Sequence, residues 1–472
     1  MSKLTVGTLR PSEAFTVPLQ TTAERNAANH VVGAIIYNTD TGAAQVLTSN
    51  NGWLNLGKGK IQATGGTVTE PGDGYKYHAY TQTGNTYTFS VTSVGFQASI
   101  ELLVVAGGGG GGGSHGGGGG GGAGGVVWQP QWFPVVGDYQ VRVGAGGAAG
   151  PTGSFYTNGY YYTGQGDGNF FHGRRGEDSY LRKTNDSQIT FLAIGGGGGM
   201  ESFYTNNEQR TKSSTNYWNK PDNFDERDGG SGGGSGDHYT GVQSWVTHNT
   251  GGRCTQGNFG GYGYGNSGGG RFAWGVGPHN GPYNRKNNGQ YPSGNGGSDG
   301  GYMPANYGMN GHGQDQGHGQ PHEGAGGGGA GGYELGRNGS NTDYGQVNWP
   351  ALVKGWSSSA PGSGGPGRYF PGFESWGTTE TNGTSGNRGW FAGGGDGGQY
   401  WYNTNGDRGP NNKGGGGGAG AHQHNGYYAT DGLANTGGGG GGGSQNNAGG
   451  GNQSGQPAGA GGSGIVLIRY KV

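Results

Sequence analysis

The chain has 472 residues, of which 126 are glycine, with 28% hydrophobic and 12% charged residues and a formal net charge of −1. So little apolar matter excludes a large conventional core for the whole length, and the near-zero charge gives no electrostatic reason to expect nucleic acid. The single cysteine, Cys254, excludes an intrachain disulfide scaffold.

The first twenty residues look extended, with Pro11 and Pro18 discouraging helix. They lack the apolar h-region of a signal peptide, which fits a protein made in the cytoplasm. Thr21-Thr22-Ala23-Glu24 has capping-box spacing and predicts a short helix from Thr22 to about Asn29. Val32–Tyr37, Ala43–Leu47 and Trp53–Leu56 predict three strands, separated by the turn chemistry of Asn38–Gly42 and Asn50-Asn51-Gly52. A meander this small is not stable alone and needs partner chains.

Residues 63–99 are polar β sequence. Tyr75–Ala79 and Tyr87–Thr92 alternate, and Thr83-Gly84-Asn85-Thr86 between them predicts a hairpin turn. Ile100–Val105 is apolar apart from Glu101, which predicts burial on both faces. It runs into Gly107–Gly113 and Gly116–Gly122, and further tracts follow at Gly195–Gly199, Gly326–Gly329, Gly414–Gly418 and Gly437–Gly443. Ile465–Ile468 closes the chain as a second apolar strand. No apolar run is long enough for a transmembrane helix.

A lone glycine tract is a flexible linker. Tracts that recur between strong strands have another resource, the backbone. Polyglycine II has three residues per turn and rises about 3.1 Å per residue, so a seven-glycine tract spans about 22 Å. With no Cβ, such helices approach closely and pair their N–H and C=O groups sideways. Collagen needs glycine at every third position and abundant proline, and only 18 residues here are proline. The expected fold class is therefore mostly β and irregular, with almost no α-helix. It has a small N-terminal β module, a β clamp and a polyglycine II bundle with long aromatic and polar loops. The domains are 1–62 (attachment or trimerisation), 63–106 (β-hairpin and buried strand), 107–464 (glycine-rich, with display loops) and 465–472 (closing strand).

Between the tracts lie inserts rich in Tyr, Trp, Asn, Gln and Thr: Phe155–His172, Phe203–Arg227, Tyr369–Trp376, Trp390-Phe391 and Tyr400–Tyr402. Flat rings with polar tips and few rotamers suit glycan or protein surfaces. The candidate binding residues, for a host surface or for contacts between subunits, are Tyr160, Tyr161, Tyr162, Phe170, Phe171, Tyr217, Trp218, Trp376, Trp390, Tyr400, Trp401 and Tyr402. The structural alternative is that these rings cap the bundle or fill contacts between copies.

His422-Gln423-His424 places two imidazoles on one side if extended. Three such pairs on a trimer axis supply six nitrogens to a transition metal; as a glycine-flanked loop they supply none. No other cofactor is expected. His312, Asp315, His318, His322 and Glu323 are close in sequence but spaced by glycines and not preorganised as ligands. GxGxxG carries no information at this glycine content, and Gly57-Lys58-Gly59-Lys60 lacks the Ser/Thr of a phosphate-binding loop. No nucleophile has a local base and no carboxylates pair in sequence, so no catalytic residue is assigned and no enzyme activity is expected.

Two stretches carry a family resemblance. Thr22–Ala27, Gly33–Thr39 and Gly52–Gly57 together resemble a module of tailed-bacteriophage fibre and virion proteins, especially of phages of marine cyanobacteria. His78–Thr81, Tyr87–Phe89, Glu101–Ala106, Tyr139–Gly147, Ala193–Gly199 and Gly464–Tyr470 are, in that order, similar to a glycine-rich domain of phage adhesins. The resemblance implies a homo-oligomeric virion fibre, a trimer first of all. Its N-terminal module would join other virion proteins and its loops would meet a host glycan or outer-membrane protein. Phage fibre trimers hold metals on His-x-His pairs. Two alternatives stand beside it: a capsid or tail decoration fibre whose loops touch only other subunits, and a glycan-degrading tailspike. The long aromatic inserts depart from the family pattern.

Overall fold

The computed structural model describes residues 17–50, 52–56, 60–95, 98–113, 117–151, 156–157, 160–161, 172–186, 188–200, 203–205, 226–234, 236, 238–240, 251–266, 268, 326–330, 364–379, 388–398, 415–421, 428–446 and 454–472. Among these residues the fold is mostly β and irregular, with one short helix.

That helix, α1 (Thr22–Ala27), starts where the capping box places it. The Glu24 amide donates to Thr21 Oγ1 at 3.2 Å and the Thr21 amide to Glu24 Oε2 at 2.7 Å. It ends two residues earlier than expected, at the extended Ala28. Strands β1 (Leu19–Gln20), β2 (Ile35–Asn38), β3 (Ala43–Thr48) and β4 (Gly52–Asn55) form one sheet in sequence order, with β1 parallel to β2. Its helix-covered face carries Asn38, Gln45 and Asn55; Asn38 bonds to Thr22 of α1, its amide donating to Thr22 Oγ1 at 3.1 Å. Gln45 donates to Asn55 Oδ1 and accepts from Arg25, both at 2.8 Å.

Next come β5 (Gln62–Thr64), β6 (Thr67–Thr69), β7 (Tyr75–Tyr80), β8 (Thr86–Ser93), β9 (Ile100–Val105), β10 (Val126–Trp132) and β11 (Gly137–Arg142). Two short strands, β12 (Tyr156–Thr157) and β13 (Tyr160–Tyr161), pair with each other. They are followed by β14 (Ser179–Lys183), β15 (Phe191–Ala193), the pair β16 (Phe203–Thr205) and β17 (His238–Thr240), and β18 (Tyr262–Tyr264). The remaining strands are the pair β19 (Arg368–Tyr369) and β20 (Trp390–Phe391), the pair β21 (Gln445–Asn446) and β22 (Ser454–Gly455), and β23 (Ile465–Lys471).

Two sheets face each other. One has six strands, ordered β18-β10-β9-β23-β7-β6, and the other has five, ordered β15-β14-β11-β8-β5. The last strand of the chain lies between β9 and β7, pairing antiparallel with both. Ile100, Leu102 and Val104 of β9 and Val466, Ile468 and Tyr470 of β23 point at Phe89, Val141, Leu181 and Phe191 of the facing sheet. The alternate residues Leu103, Val105, Ile465 and Leu467 point the other way, into a second core closed by Phe370, Phe373 and Phe391. The central strands are therefore buried on both faces, as their unbroken apolar runs predict.

The hairpin expected at Thr83–Thr86 does not form. β7 pairs with β6 and β23 while β8 pairs with β5 and β11, so residues 81–85 cross from one sheet to the other. A turn-like sequence between two alternating strands fits a hairpin and a crossing equally well. The claim of β23 on β7 decides between them.

Beyond β9 the chain continues into the glycine tract, and its bonding changes period. The amides of Gly107 and Gly110 donate to Glu177 and Arg174, those of Gly108 and Gly111 to Gly462 and Gly459, and those of Gly109 and Gly112 to Gly122 and Gly119. The carbonyls of the same three pairs accept from Gly196 and Gly199, Gly147 and Gly150, and Gly440 and Gly443. These bonds measure 2.8–3.1 Å. The partner changes at each residue and returns after three, and all of these bonds leave the segment. That is a three-fold screw with six neighbours, antiparallel on the N–H side and parallel on the C=O side. A pleated strand would show a two-residue period. The expected polyglycine II packing is present.

Gly118, Gly121 and Gly124 repeat the pattern against Gly443, Gly440 and Gly437, and Gly119, Gly122 and Gly125 against Met200, Gly197 and Ile194. At some positions a side chain, in place of a neighbouring carbonyl, takes the amide. Asp178 Oδ1 accepts from Gly195, Asp396 Oδ1 from Gly364 and Asp431 Oδ1 from Ala460, each at 2.7–2.8 Å. Gln256 imitates a peptide, accepting from Ile194 at 2.8 Å and donating to Leu192 and Gly257.

Candidate functional site

The hydrogen-bond register divides the bundle into two ends. Beside the sandwich, Ala106, Gly125, Ala145, Glu177, Ile194 and Gly464 continue from, or lead into, strands, and with Gly437, which follows a turn, they mark one end of the bundle. About six residues along the tract, roughly 19 Å away, lies a far layer. Gly112 donates to Gly119, Gly119 to Met200, Met200 to Gly234, Gly443 to Gly112 and Gly398 to Gly118. Gly150, Gly173 and Ala421 join it through Gly111, Gly199 and Gly442. The chain enters and leaves this layer at the described residues flanking 114–116, 152–171, 201–225, 235–250 and 422–427, and Gly398 leads into Tyr400–Tyr402. The tracts thus collect at one pole the chain ends that bear most of the aromatic inserts. The signal in the sequence is only that tracts are of similar length; their parallel or antiparallel sense is a result of the structure.

Two inserts are placed elsewhere. Tyr369–Trp376 and Trp390-Phe391 lie across the outer face of the six-stranded sheet, where Leu103, Val105, Ile465 and Leu467 need cover. Phe370, Phe373 and Phe391 are fully buried there. Trp390 is 8% exposed and sits 5.9 Å from the Tyr369 ring. Trp376 packs partly against the same core, with its ring 5.2 Å from Tyr77. Within the single chain both rings thus pack on the cover of the sheet.

Arg469 fastens this cover. It pairs with Glu101 at 2.6 Å, donates to the Gly372 carbonyl at 3.0 Å and lies 4.6 Å over Tyr75 and 5.2 Å from Phe373. Gly372 has φ +85°, and any side chain there would strike the guanidinium. Glu101, the one charged residue in the apolar β9 run, also accepts from Trp128 Nε1 at 2.9 Å. Its place in an apolar strand was the available signal for this clasp.

Of the other candidates, Tyr160 and Tyr161 are described only as the backbone of β13. Tyr162, Phe170, Phe171, Tyr217, Trp218, Tyr400, Trp401 and Tyr402 lie outside the described residues, as do His422, His424 and the group from His312 to Glu323. Among the described residues there is no group of three or more His, Cys, Asp or Glu set to hold a metal. Nor, among them, is any helix long and apolar enough to cross a membrane.

Burial shifts two groups of the bundle toward their neutral forms. Burial pushes the Cys254 thiol up to about 12, with Sγ donating to the Gly230 carbonyl at 3.0 Å, so it is no thiolate nucleophile. Burial lowers His172, beside the far layer, to about 4. His78, between the two sheets, is also lowered by burial; its ring bonds to Gly65 O at 2.7 Å and to Tyr470 Oη at 3.1 Å.

The chain matches no protein-family model, no curated protein and no solved structure.

Proposed function

We propose that this chain is a non-enzymatic virion fibre or adhesin subunit of a tailed bacteriophage, and that it presents loops for recognition of a host glycan or outer-membrane protein. The observation that carries the reading is the far layer. Rigid tracts lead the chain ends of several Tyr-, Trp- and Asn-rich inserts to one pole, away from the sandwich. A scaffold held by main-chain bonds tolerates variation in the loops it carries. The resemblance of about residues 20–57 and 75–472 to phage modules supports the same reading.

The mechanism is attachment without chemistry. Each loop contact is weak, and several on one pole, multiplied by copies of the chain in a particle, add through effective concentration. The N-terminal module would join other virion proteins, and the chain would work on the outside of the particle.

The test uses purified protein against a glycan array and envelope preparations of marine cyanobacteria. Retention that is lost when residues 206–225 and 399–412 are replaced by Gly-Ser linkers, without release of reducing ends, supports the adhesin. Release of reducing ends assigns a tailspike enzyme instead. Binding only to other virion chains assigns a decoration fibre.

A further inference from the structure

Six strands of the sandwich run without a break into the bundle. β9, β11 and β15 lead into 106–113, 143–150 and 194–200, while β10, β14 and β23 are reached from 117–125, 172–178 and 456–464. Three paths therefore run toward the far layer and three return from it. Each is one extended path between the pole and the base of the sandwich, where β9, β11 and β15 begin.

These paths have little slack. Polyglycine II rises about 3.1 Å per residue, against about 3.3–3.6 Å for a fully stretched chain. Tension along a tract can lengthen it by roughly a tenth, whereas an α-helix, at about 1.5 Å per residue, would more than double.

The bonds that hold each path lie across it. Every amide from Gly107 to Gly112 donates to another segment and none to its own. In the sandwich, β9 is bonded on one side to β10 and on the other to β23. Pulling a path lengthwise must shear its whole row of bonds together. Pulling it sideways opens the row one bond at a time. Close fit adds to the grip: the carbonyls of Gly438, Gly197 and Ala148, from three different segments, fill the places that Cβ atoms on Gly108, Gly109 and Gly110 would take.

We infer that sandwich and bundle together are a load-bearing strut, strong against tension between base and pole and weak against force across the tracts. This role is mechanical and separate from recognition. It holds whatever the pole binds, so a failure of host binding leaves it standing.

The experiment is single-molecule stretching of the intact chain between pairs of engineered thiols, at one loading rate. Cys254→Ser is the background, since a serine hydroxyl can keep the bond to Gly230. The axial pair is Pro151→Cys, exposed beside Gly150 of the far layer, with Gln188→Cys, exposed in the β14–β15 turn at the base. The transverse pair is Ala148→Cys with Leu433→Cys, both exposed, whose segments meet 459–463 at the adjacent Gly461 and Gly462. Each variant should melt with its parent; Ile189→Cys, 40% exposed in the same turn, replaces Gln188→Cys if that variant does not. The axial pair should unfold at a force at least twice that of the transverse pair. A ratio below two would overturn the strut.

Discussion

The carbonyl oxygen of Gly109 occupies the place that a Cβ on Gly121 would need. The two backbones meet where neither has a side chain, and the Gly109 amide bonds to the next residue along, Gly122, at 2.8 Å. The same overlap faces Gly440, against Gly459, and Gly109 itself, against Gly197. Gly109→Ala, Gly121→Ala or Gly440→Ala must therefore push a rigid helix off its neighbour. Each should destabilise by about 3 kcal/mol or more, at or beyond the upper end for overpacking a core. Ala148, exposed at the margin of the bundle, sets the contrast: Ala148→Ser should change stability by less than about 0.5 kcal/mol. Urea denaturation of the four variants checks both expectations.

The closing strand is the keystone of both cores, since its alternate residues face opposite ways. Leu467→Ala and Ile468→Ala should each cost about 2–5 kcal/mol. Deleting 465–472 should leave β7 and β9 without their common partner and Leu103 uncovered on its sheet. The expected result is loss of the cooperative melt rather than a shifted one, by differential scanning calorimetry.

Removing the Glu101 charge leaves the Arg469 guanidinium, in a pair only 13–15% exposed, without its carboxylate partner. Glu101→Gln should cost about 3–5 kcal/mol, the usual result of breaking one side of a buried pair. It should also loosen the Phe370–Trp376 cover, read as faster limited proteolysis within 370–376. The reverse result, unchanged proteolysis with lower stability, would confine the role of the pair to the sheet.

His78 and His172 give a pH dependence of definite sign. Burial lowers both in the fold, His172 to about 4, whereas unfolded histidine titrates near 6.5. Above the unfolded value both states are neutral and the contribution is complete. As pH falls below it, the unfolded chain takes up protons that the fold refuses, so stability is lost, for His172 from about 6.5 down to about 4. The loss from His172 alone is roughly 2–3 kcal/mol. Denaturation midpoints at pH 7 and pH 4.5 should differ, and His172→Gln should shrink the difference.

Much of the scaffold was legible in the amino-acid order. The capping box at Thr21, the double-sided burial of Ile100–Val105 and the closing strand each follow from a local rule. So does the three-residue period, because unbroken glycine leaves only main-chain bonds to make. What could not be read is which segment meets which. Gly107–Gly113 has six neighbours drawn from residues 117 to 464, and glycine carries no side chain to specify a partner. The inserts were equally opaque. Tyr369–Trp376 and Trp390-Phe391 have the same composition as the others, yet they cover the sheet because Phe370, Phe373 and Phe391 fit above Leu103 and Leu467. The crossing at 81–85 is opaque for a similar reason, since the partner of β7 lies almost four hundred residues away.

Amide hydrogen exchange across Gly107–Gly113 tests the central claim most directly. With every amide from Gly107 to Gly112 bonded to a neighbouring segment, these glycines should exchange only on global unfolding, as slowly as Leu102 and Leu103 of β9. Exchange at the rate of an unstructured glycine peptide would mean that the tracts are spacers, and the bundle would be wrong.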